Sequence, residues 1–76
     1  MHRPKRYSNF RFREIVMDYI HSDRDRRILI DKFCNNKTME QIAEQYQLSV
    51  SQVKRIIVRD GEIVFQIMAE DEPKEN

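Results

Sequence analysis

The sequence predicts a small all-α domain, and three observations lead to this fold class. Its 76 residues are 39% apolar and 36% charged, which supplies enough apolar side chain for one small core. The chain holds one glycine and two prolines, and both prolines lie near the ends, so little in the interior interrupts a helix. Apolar residues recur at spacings of three and four, the period of an amphipathic helix. We expect four or five helices, the last of them long or kinked.

The first helix is predicted from about Asn9 to His21. Polar Arg13, Glu14 and Asp18 fall on one side of it, and an apolar stripe falls on the other. The stripe consists of Phe12, Ile15, Val16, Tyr19 and Ile20.

The second helix is predicted from Ser22 to about Cys34. The Ser22 hydroxyl can accept hydrogen bonds from first-turn amides, and Asp23 and Asp25 suit the positive end of the helix dipole. Residues 35–37 (Asn-Asn-Lys) are typical of a turn, because asparagine tolerates the left-handed backbone conformation.

Two capping-box patterns predict the third and fourth helices. Thr38 is followed three residues later by Gln41, and Ser49 is followed in the same way by Gln52. Since the two boxes are only eleven residues apart, they leave room for a short helix and a tight turn at residues 47–48.

The stretch after Arg55 admits two interpretations. Asp60-Gly61 between β-branched residues is a hairpin signal. A helical apolar stripe also continues through Gly61, which costs about 1 kcal/mol relative to alanine in a helix. We favour one long or kinked helix, with the hairpin as the alternative.

Charge divides the chain into three parts, although the net charge is only +1. Residues 1–13 carry five Lys or Arg and no acid, whereas residues 69–76 carry one Lys and four acids. We predict a basic arm at 1–8, a folded domain at 9–68 and an acidic disordered tail at 69–76.

Several classes of protein are excluded by what the sequence lacks. No apolar run is long enough for a transmembrane helix or a secretory signal, so we expect a cytoplasmic protein. Cys34 is the only cysteine, His2 and His21 have no partners at metal-ligand spacing, and no glycine-rich phosphate loop occurs. We therefore expect no enzyme activity, no metal and no cofactor.

Residues 38–59 predict a helix-turn-helix, in which one helix crosses a DNA backbone and the next lies in the major groove. An apolar set falls where the two helices would contact each other and the core: Met39, Ile42, Ala43, Tyr46, Leu48, Val53 and Ile56. A polar set is left facing outward: Ser49, Ser51, Gln52, Lys54, Arg55 and Arg59. Double-stranded DNA is therefore the expected partner.

These residues resemble the fourth conserved region of bacterial sigma factors. The resemblance covers about residues 23–59 and rests on DRRIL at 25–29 and TMEQIAEQYQLSVSQVKRII at 38–57. It implies a helix-turn-helix that reads duplex DNA, of the kind found in small phage and mobile-element regulators, and not a full sigma factor. In this family the turn usually holds glycine where this chain has Gln47.

The resemblance implies which side chains contact DNA. Those that match its recognition-helix surface are Ser49, Val50, Ser51, Gln52, Lys54 and Arg55. Gln52 can pair with adenine and Arg55 with guanine, whereas Lys54 and Arg59 can neutralise phosphates.

Further contacts are expected at both ends of this motif. Ser49 and Ser51 can reach phosphates or base edges, and Lys37 and Thr38 can reach the DNA backbone. The arm residues Arg3, Lys5 and Arg6 can follow the backbone, unless the arm is only a solvated terminus.

The low net charge leaves two further questions. A homodimer through the last helix would double the phosphate contacts, or the first helix could cover the same apolar surface within one chain. That surface comprises Ile57, Val58, Ile63, Val64, Phe65, Ile67 and Met68. The alternative function is a protein-interaction adaptor that docks on RNA polymerase, a sigma factor or another regulator without binding DNA.

Overall fold

The structure, a computed structural model, describes residues 8–71, which form four α-helices and no strand. The helices are α1 (Asn9–Tyr19), α2 (Asp23–Phe33), α3 (Met39–Tyr46) and α4 (Val50–Asp71). The predicted all-α domain with a long C-terminal helix is confirmed. The arm residues Arg3, Lys5 and Arg6, and residues 72–76 of the predicted tail, lie outside the described residues.

Serine and threonine hydroxyls begin the helices where the sequence predicts. Ser8 and Ser22 accept hydrogen bonds from backbone amides in the first turns of α1 and α2, at 3.0 and 3.3 Å. Both capping boxes are confirmed. The Thr38 box closes with bonds of 3.1 and 2.9 Å, and the Ser49 box has the same two lengths. These bonds satisfy amides that the first helical turn would otherwise leave without partners.

The last helix is continuous through Asp60 and Gly61, so the hairpin interpretation is wrong. Over 22 residues α4 extends about 33 Å. Its apolar stripe buries Val53, Ile57 and Val64 on one face, which outweighs the weak helix propensity of glycine. The helix also runs three residues past the predicted domain boundary, so residues 69–71 are helical and not part of a disordered tail.

Three phenylalanines from three helices form the centre of the core. The ring centroids of Phe12, Phe33 and Phe65 lie 5.0 to 5.6 Å apart, within the range of favourable aromatic contacts. Ile42 and Ala43 of α3 are buried in the same core, which holds the helix-turn-helix on α1 and α2.

The first helix helps to cover the apolar surface of α4, on which α2 and α3 also pack. Val64, Phe65 and Met68 are buried, and Phe12 of α1 contacts Phe65. Val58 and Ile63 remain 41% and 43% exposed. The surface offered as a dimer interface is therefore largely internal.

The prediction that Tyr19 lies in the apolar stripe is wrong, because its side chain is 53% exposed. The helix ends at Tyr19. Ile20 has an extended backbone, and the Ile20 side chain is buried in the core instead. Arg26 of α2 closes this end of α1 by donating hydrogen bonds to the carbonyls of Met17 and Ile20.

Within the described residues no helix combines the length and apolar character needed to cross a membrane.

Candidate nucleic-acid interface

The turn between α3 and α4 keeps the left-handed geometry although glycine is absent. Gln47 has φ 57° and ψ 45°, and its amide donates to the carbonyls of Ala43 and Glu44. The Leu48 amide donates to Ala43 O at 2.9 Å, which completes the C-cap of α3. A residue with a Cβ in this conformation costs roughly 1–2 kcal/mol, so the turn is strained but not reshaped.

The predicted recognition residues occupy one continuous exposed surface at the start of α4. We call this surface the recognition face, and it comprises Ser49, Val50, Ser51, Gln52, Lys54 and Arg55, all exposed. Val53 and Ile56, which interrupt the series, are buried and hold the helix against the core. The alternation of exposed and buried positions therefore sets which side chains are available to a ligand.

The cap of α4 engages two members of the recognition face. Gln52 Oε1 accepts from the Ser49 amide at 2.9 Å, and Ser49 Oγ accepts from the Gln52 amide at 3.1 Å. The Gln52 side-chain amide keeps its NH₂ donors and one oxygen lone pair for a further partner. The cap also holds the Gln52 side chain in one orientation, which reduces the entropy lost when it pairs with a base.

Lys54 and Arg55 carry the positive charge of the recognition face. Both side chains are exposed, and neither forms an ion pair with another residue between positions 8 and 71. The N-terminus of α4 adds the positive end of its dipole to the same region. An anionic ligand is therefore the one this surface favours.

Lys37 and Thr38 lie just before α3 and are already hydrogen-bonded. Lys37 Nζ donates to Gln45 Oε1 at 2.8 Å and lies 3.7 Å from a carboxylate oxygen of Asp31. The Thr38 hydroxyl accepts the Gln41 amide but keeps its own proton for another acceptor.

Arg59 has a different environment from the other predicted contacts. Its Nη2 donates to Asp25 Oδ2 and its Nε donates to Asp60 Oδ1, both at 3.1 Å. The hydrogen bond to Asp60, helped by the charges of both carboxylates, raises the pKa of Arg59. The guanidinium thus joins α2 to α4.

The two carboxylates that bind Arg59 are buried. Asp25 is 5% exposed and Asp60 is 6% exposed, and Asp60 Oδ2 has no hydrogen-bond partner. Burial raises the pKa of Asp60 and the nearby Asp25 raises it further, while Arg59 acts in the opposite direction. Arg24 Nε also donates to Asp25, at 3.2 Å.

A third buried aspartate joins α3 to α2. Tyr46 Oη donates to Asp31 Oδ2 at 3.0 Å, and Asn35 donates to the other oxygen at the same distance. Burial, followed by this hydrogen bond, raises the pKa of Tyr46. Each helix of the helix-turn-helix is therefore bound to a different aspartate of α2.

Sequence reasoning missed these three aspartates as structural residues. A signal was present, because Asp25 and Asp60 each fall on the apolar stripe of their helix, three or four residues from buried Ile28 and Val64. A charged side chain at such a position needs a buried partner.

Between residues 8 and 71, no group of three or more His, Cys, Asp or Glu is placed to hold a metal ion.

A short helix, a left-handed turn and a second helix with an exposed polar first half, all held on two supporting helices, define a DNA-binding helix-turn-helix domain. Residues 22–59 match the family described as sigma-70, region 4. This match covers half of the chain, and the protein belongs to the sigma-70 region 4 family of DNA-binding helix-turn-helix domains. No curated protein and no solved structure gives a significant match.

Proposed function

We propose that the protein is a sequence-specific transcriptional regulator that places the first half of α4 in the major groove of double-stranded DNA. The observation that carries this proposal is the recognition face, where Lys54 and Arg55 are exposed and have no acidic partner within the described residues. Family membership supports DNA as the ligand.

The proposed roles follow from the chemistry of each side chain. Arg55 reads guanine with two parallel hydrogen bonds, and Gln52 reads adenine through its free NH₂ donors and remaining lone pair. Lys54 neutralises a phosphate, while Ser49, Val50 and Ser51 contact the groove wall at the helix N-terminus.

Backbone contacts outside α4 extend the interface. We propose that Lys37 and Thr38 bind phosphates beside the bracing helix, and that Arg3, Lys5 and Arg6 follow the backbone from the arm. These contacts set affinity and register, whereas the recognition face sets sequence preference.

A phage or other mobile element is the proposed genetic setting, because the chain resembles small regulators that such elements carry. A DNA-binding role in turn places the protein in the cytoplasm. We propose that one copy binds on its own, since Val64, Phe65 and Met68 are buried within the domain and are not open to a second copy.

A protein-docking adaptor is the second candidate, and the outer face of α1 favours it. Phe10 is 73% exposed and Met17 is 53% exposed, and they lie two turns apart beside Arg13 and Glu14. RNA polymerase or another regulator would contact this face. DNA contact by α4 does not require it.

Selection from a pool of random duplexes tests the proposal, with affinity of the selected site then followed against salt. We expect a defined site to be enriched and bound with a steep salt dependence. Arg55→Ala should cost about 1–3 kcal/mol of binding and relax the preference at one base pair. No enrichment even at low salt would refute DNA recognition and favour the adaptor, which Met17→Glu should then inactivate.

A further inference from the structure

The bond between Arg59 and Asp25 links the helix that carries the recognition face to the helix that supports it. The two residues are 34 positions apart in sequence, and the donor and acceptor atoms are 3.1 Å apart. Arg59 lies one turn beyond Arg55, so the link is made where α4 passes from the recognition face into the core.

We propose that Arg59 is a positioning residue, which sets the angle of α4 on α2 by bridging Asp25 and Asp60 and thereby aligns the recognition face with the groove. The inference rests on the proposed function and deepens it. It also gives Arg59 a role other than the phosphate contact that its sequence position predicts.

Apolar packing alone does not determine this angle. Val53, Ile56 and Ile57 bury α4 against its neighbours, but apolar contacts are non-directional and permit small rotations and shifts. Charge-assisted hydrogen bonds from a planar guanidinium are directional, and here they reach two carboxylates on two helices. A displacement of about 1 Å at a recognition site is enough to weaken binding strongly.

Electrostatics also opposes a phosphate role for Arg59. A phosphate that drew the guanidinium away would leave the 5% exposed Asp25 and the 6% exposed Asp60 with less compensation for their buried charge. A buried carboxylate without a cationic partner is costly, even where the cation itself is partly exposed. The two carboxylates therefore retain Arg59.

The chain provides a matched control in Arg24. This arginine binds the same carboxylate, at 3.2 Å, and its side chain is 52% exposed against 58% for Arg59. It belongs to the same helix as Asp25, so its bond does not join α2 to α4. Arg24→Lys therefore weakens a similar ion pair and should leave the geometry between the helices unchanged.

Arg59→Lys distinguishes a positioning role for Arg59 from a phosphate contact. Lysine keeps the charge but cannot bridge two carboxylates with a planar fork. Affinity for the selected duplex is measured against salt, with circular dichroism to confirm folding. As a positioning residue, Arg59→Lys should lose about tenfold or more in affinity with an unchanged salt slope, and Arg24→Lys should stay within about twofold. Wild-type affinity in Arg59→Lys would overturn the proposal.

Asp25→Asn gives an independent result that differs in sign between the two roles. If Arg59 contacts phosphate, removing a nearby negative charge should tighten binding. If Arg59 positions α4, weakening the bridge should loosen binding, and combining Asp25→Asn with Arg59→Lys should cost less than the sum of the two changes. Tighter binding by Asp25→Asn would refute the proposal.

Residual dipolar couplings of the free protein test the angle without DNA. We expect the first half of α4 to reorient relative to α2 in Arg59→Lys and to keep its orientation in Arg24→Lys. An unchanged orientation would overturn the inference. If the wild-type protein bound no duplex, the proposed function would fail, whereas a reoriented α4 would still support the role of Arg59 in setting the angle.

Discussion

At the scale of single residues, the main feature is the cost of burying Asp60. Its Oδ1 is bound by Arg59, but its Oδ2 is buried with no hydrogen-bond partner. A buried acceptor that loses water without gaining a partner costs about 1–3 kcal/mol. The domain therefore retains this carboxylate at the expense of stability, which fits a role in geometry.

Asp60→Asn should stabilise the protein at neutral pH by about 1 kcal/mol. The asparagine oxygen can still accept from Arg59, and its NH₂ can donate to the carboxylate of Asp25. Urea denaturation of the variant and the wild type at a series of pH values measures the difference in the free energy of unfolding.

The sign of the pH dependence follows from the raised pKa of Asp60, whose ordinary value is 3.8 and which burial shifts upward. The folded state therefore binds the proton of the Asp60 carboxyl more tightly than the unfolded state does. The stability that this protonation contributes is present below the ordinary pKa and is lost as pH rises through the pKa of the folded state. The advantage of Asp60→Asn should be absent at the acid end and should grow toward neutral pH. An advantage that is constant with pH would contradict this, and Asp18→Asn, on the surface of α1, serves as the control.

Gln47→Gly should also stabilise the domain, by up to about 1 kcal/mol, because glycine adopts the left-handed conformation of this turn without strain. Part of the gain is offset by the greater freedom of glycine in the unfolded chain. Thermal unfolding measures the effect. The same substitution at exposed Gln66 within α4 should instead lose about 1 kcal/mol, and a loss at both positions would show that the turn carries no strain.

At the scale of helices, α2 is the support on which the helix-turn-helix is oriented. Asp31 near its C-terminal end binds Tyr46 of α3, and Asp25 in its first turn binds Arg59 of α4. Two directional bonds near opposite ends of α2 restrict rotation of the helix-turn-helix relative to α2 better than one bond would. This arrangement accounts for the two aspartates that α2 keeps buried, Asp25 and Asp31.

The first turn of α4 combines capping with recognition, and Gln52→Glu separates the two. Glutamate fits the capping box as well as glutamine does and suits the positive end of the dipole, so stability should be unchanged or slightly higher. Its negative charge would enter a groove bordered by phosphates, so DNA affinity should fall by about tenfold or more. Fluorescence anisotropy and urea denaturation on the same samples give both quantities.

Gln66→Glu is the control for that change, because it adds the same charge to the same helix. Residue 66 lies 14 positions beyond Gln52, about 21 Å along the helix and beyond the Debye length of roughly 10 Å. It should leave DNA affinity nearly unchanged. Equal losses in the two variants would mean that net charge, and not the position of Gln52, sets the affinity.

Local signals made the helices predictable from sequence, and long-range contacts made the rest unpredictable. The capping boxes at Thr38 and Ser49 are read within four residues, and both are present. The bond from Arg59 to Asp25 spans 34 residues, so no local pattern reveals it. The sequence left the backbone at Gly61 open between a helix and a hairpin, and it wrongly placed Tyr19 in the apolar stripe. In both cases the packing of the whole domain decided the outcome.

At the scale of the whole molecule, the net charge of +1 understates what the recognition face presents to DNA. The buried Asp25, Asp31 and Asp60 lie against arginine or lysine side chains, so part of the acidic charge is compensated inside the domain. Lys54 and Arg55 have no such partner in the described part of the chain. Local charge, and not the total, is therefore what favours a phosphate backbone.

The molecule should be a monomer in solution at micromolar concentration. Val58 and Ile63 are the exposed large apolar residues of α4 beyond the recognition face, and five helical residues place them about 140° apart around its axis. A specific interface usually buries on the order of 1,200 Å² or more, and two separate side chains do not supply that area. Sedimentation velocity should therefore give a mass near 9.3 kDa.

A monomer also constrains the DNA site, because one recognition helix reads one half-site and imposes no two-fold symmetry on the sequence. The enriched duplexes should then lack a palindrome, and the salt slope should reflect the phosphate contacts of a single copy. Ile63→Glu distinguishes the alternatives, since it would dissociate a dimer formed through α4 but leave a monomer unchanged in mass and in DNA affinity. A palindromic site together with a mass that falls in Ile63→Glu would show that α4 pairs two copies despite the cover that α1 provides.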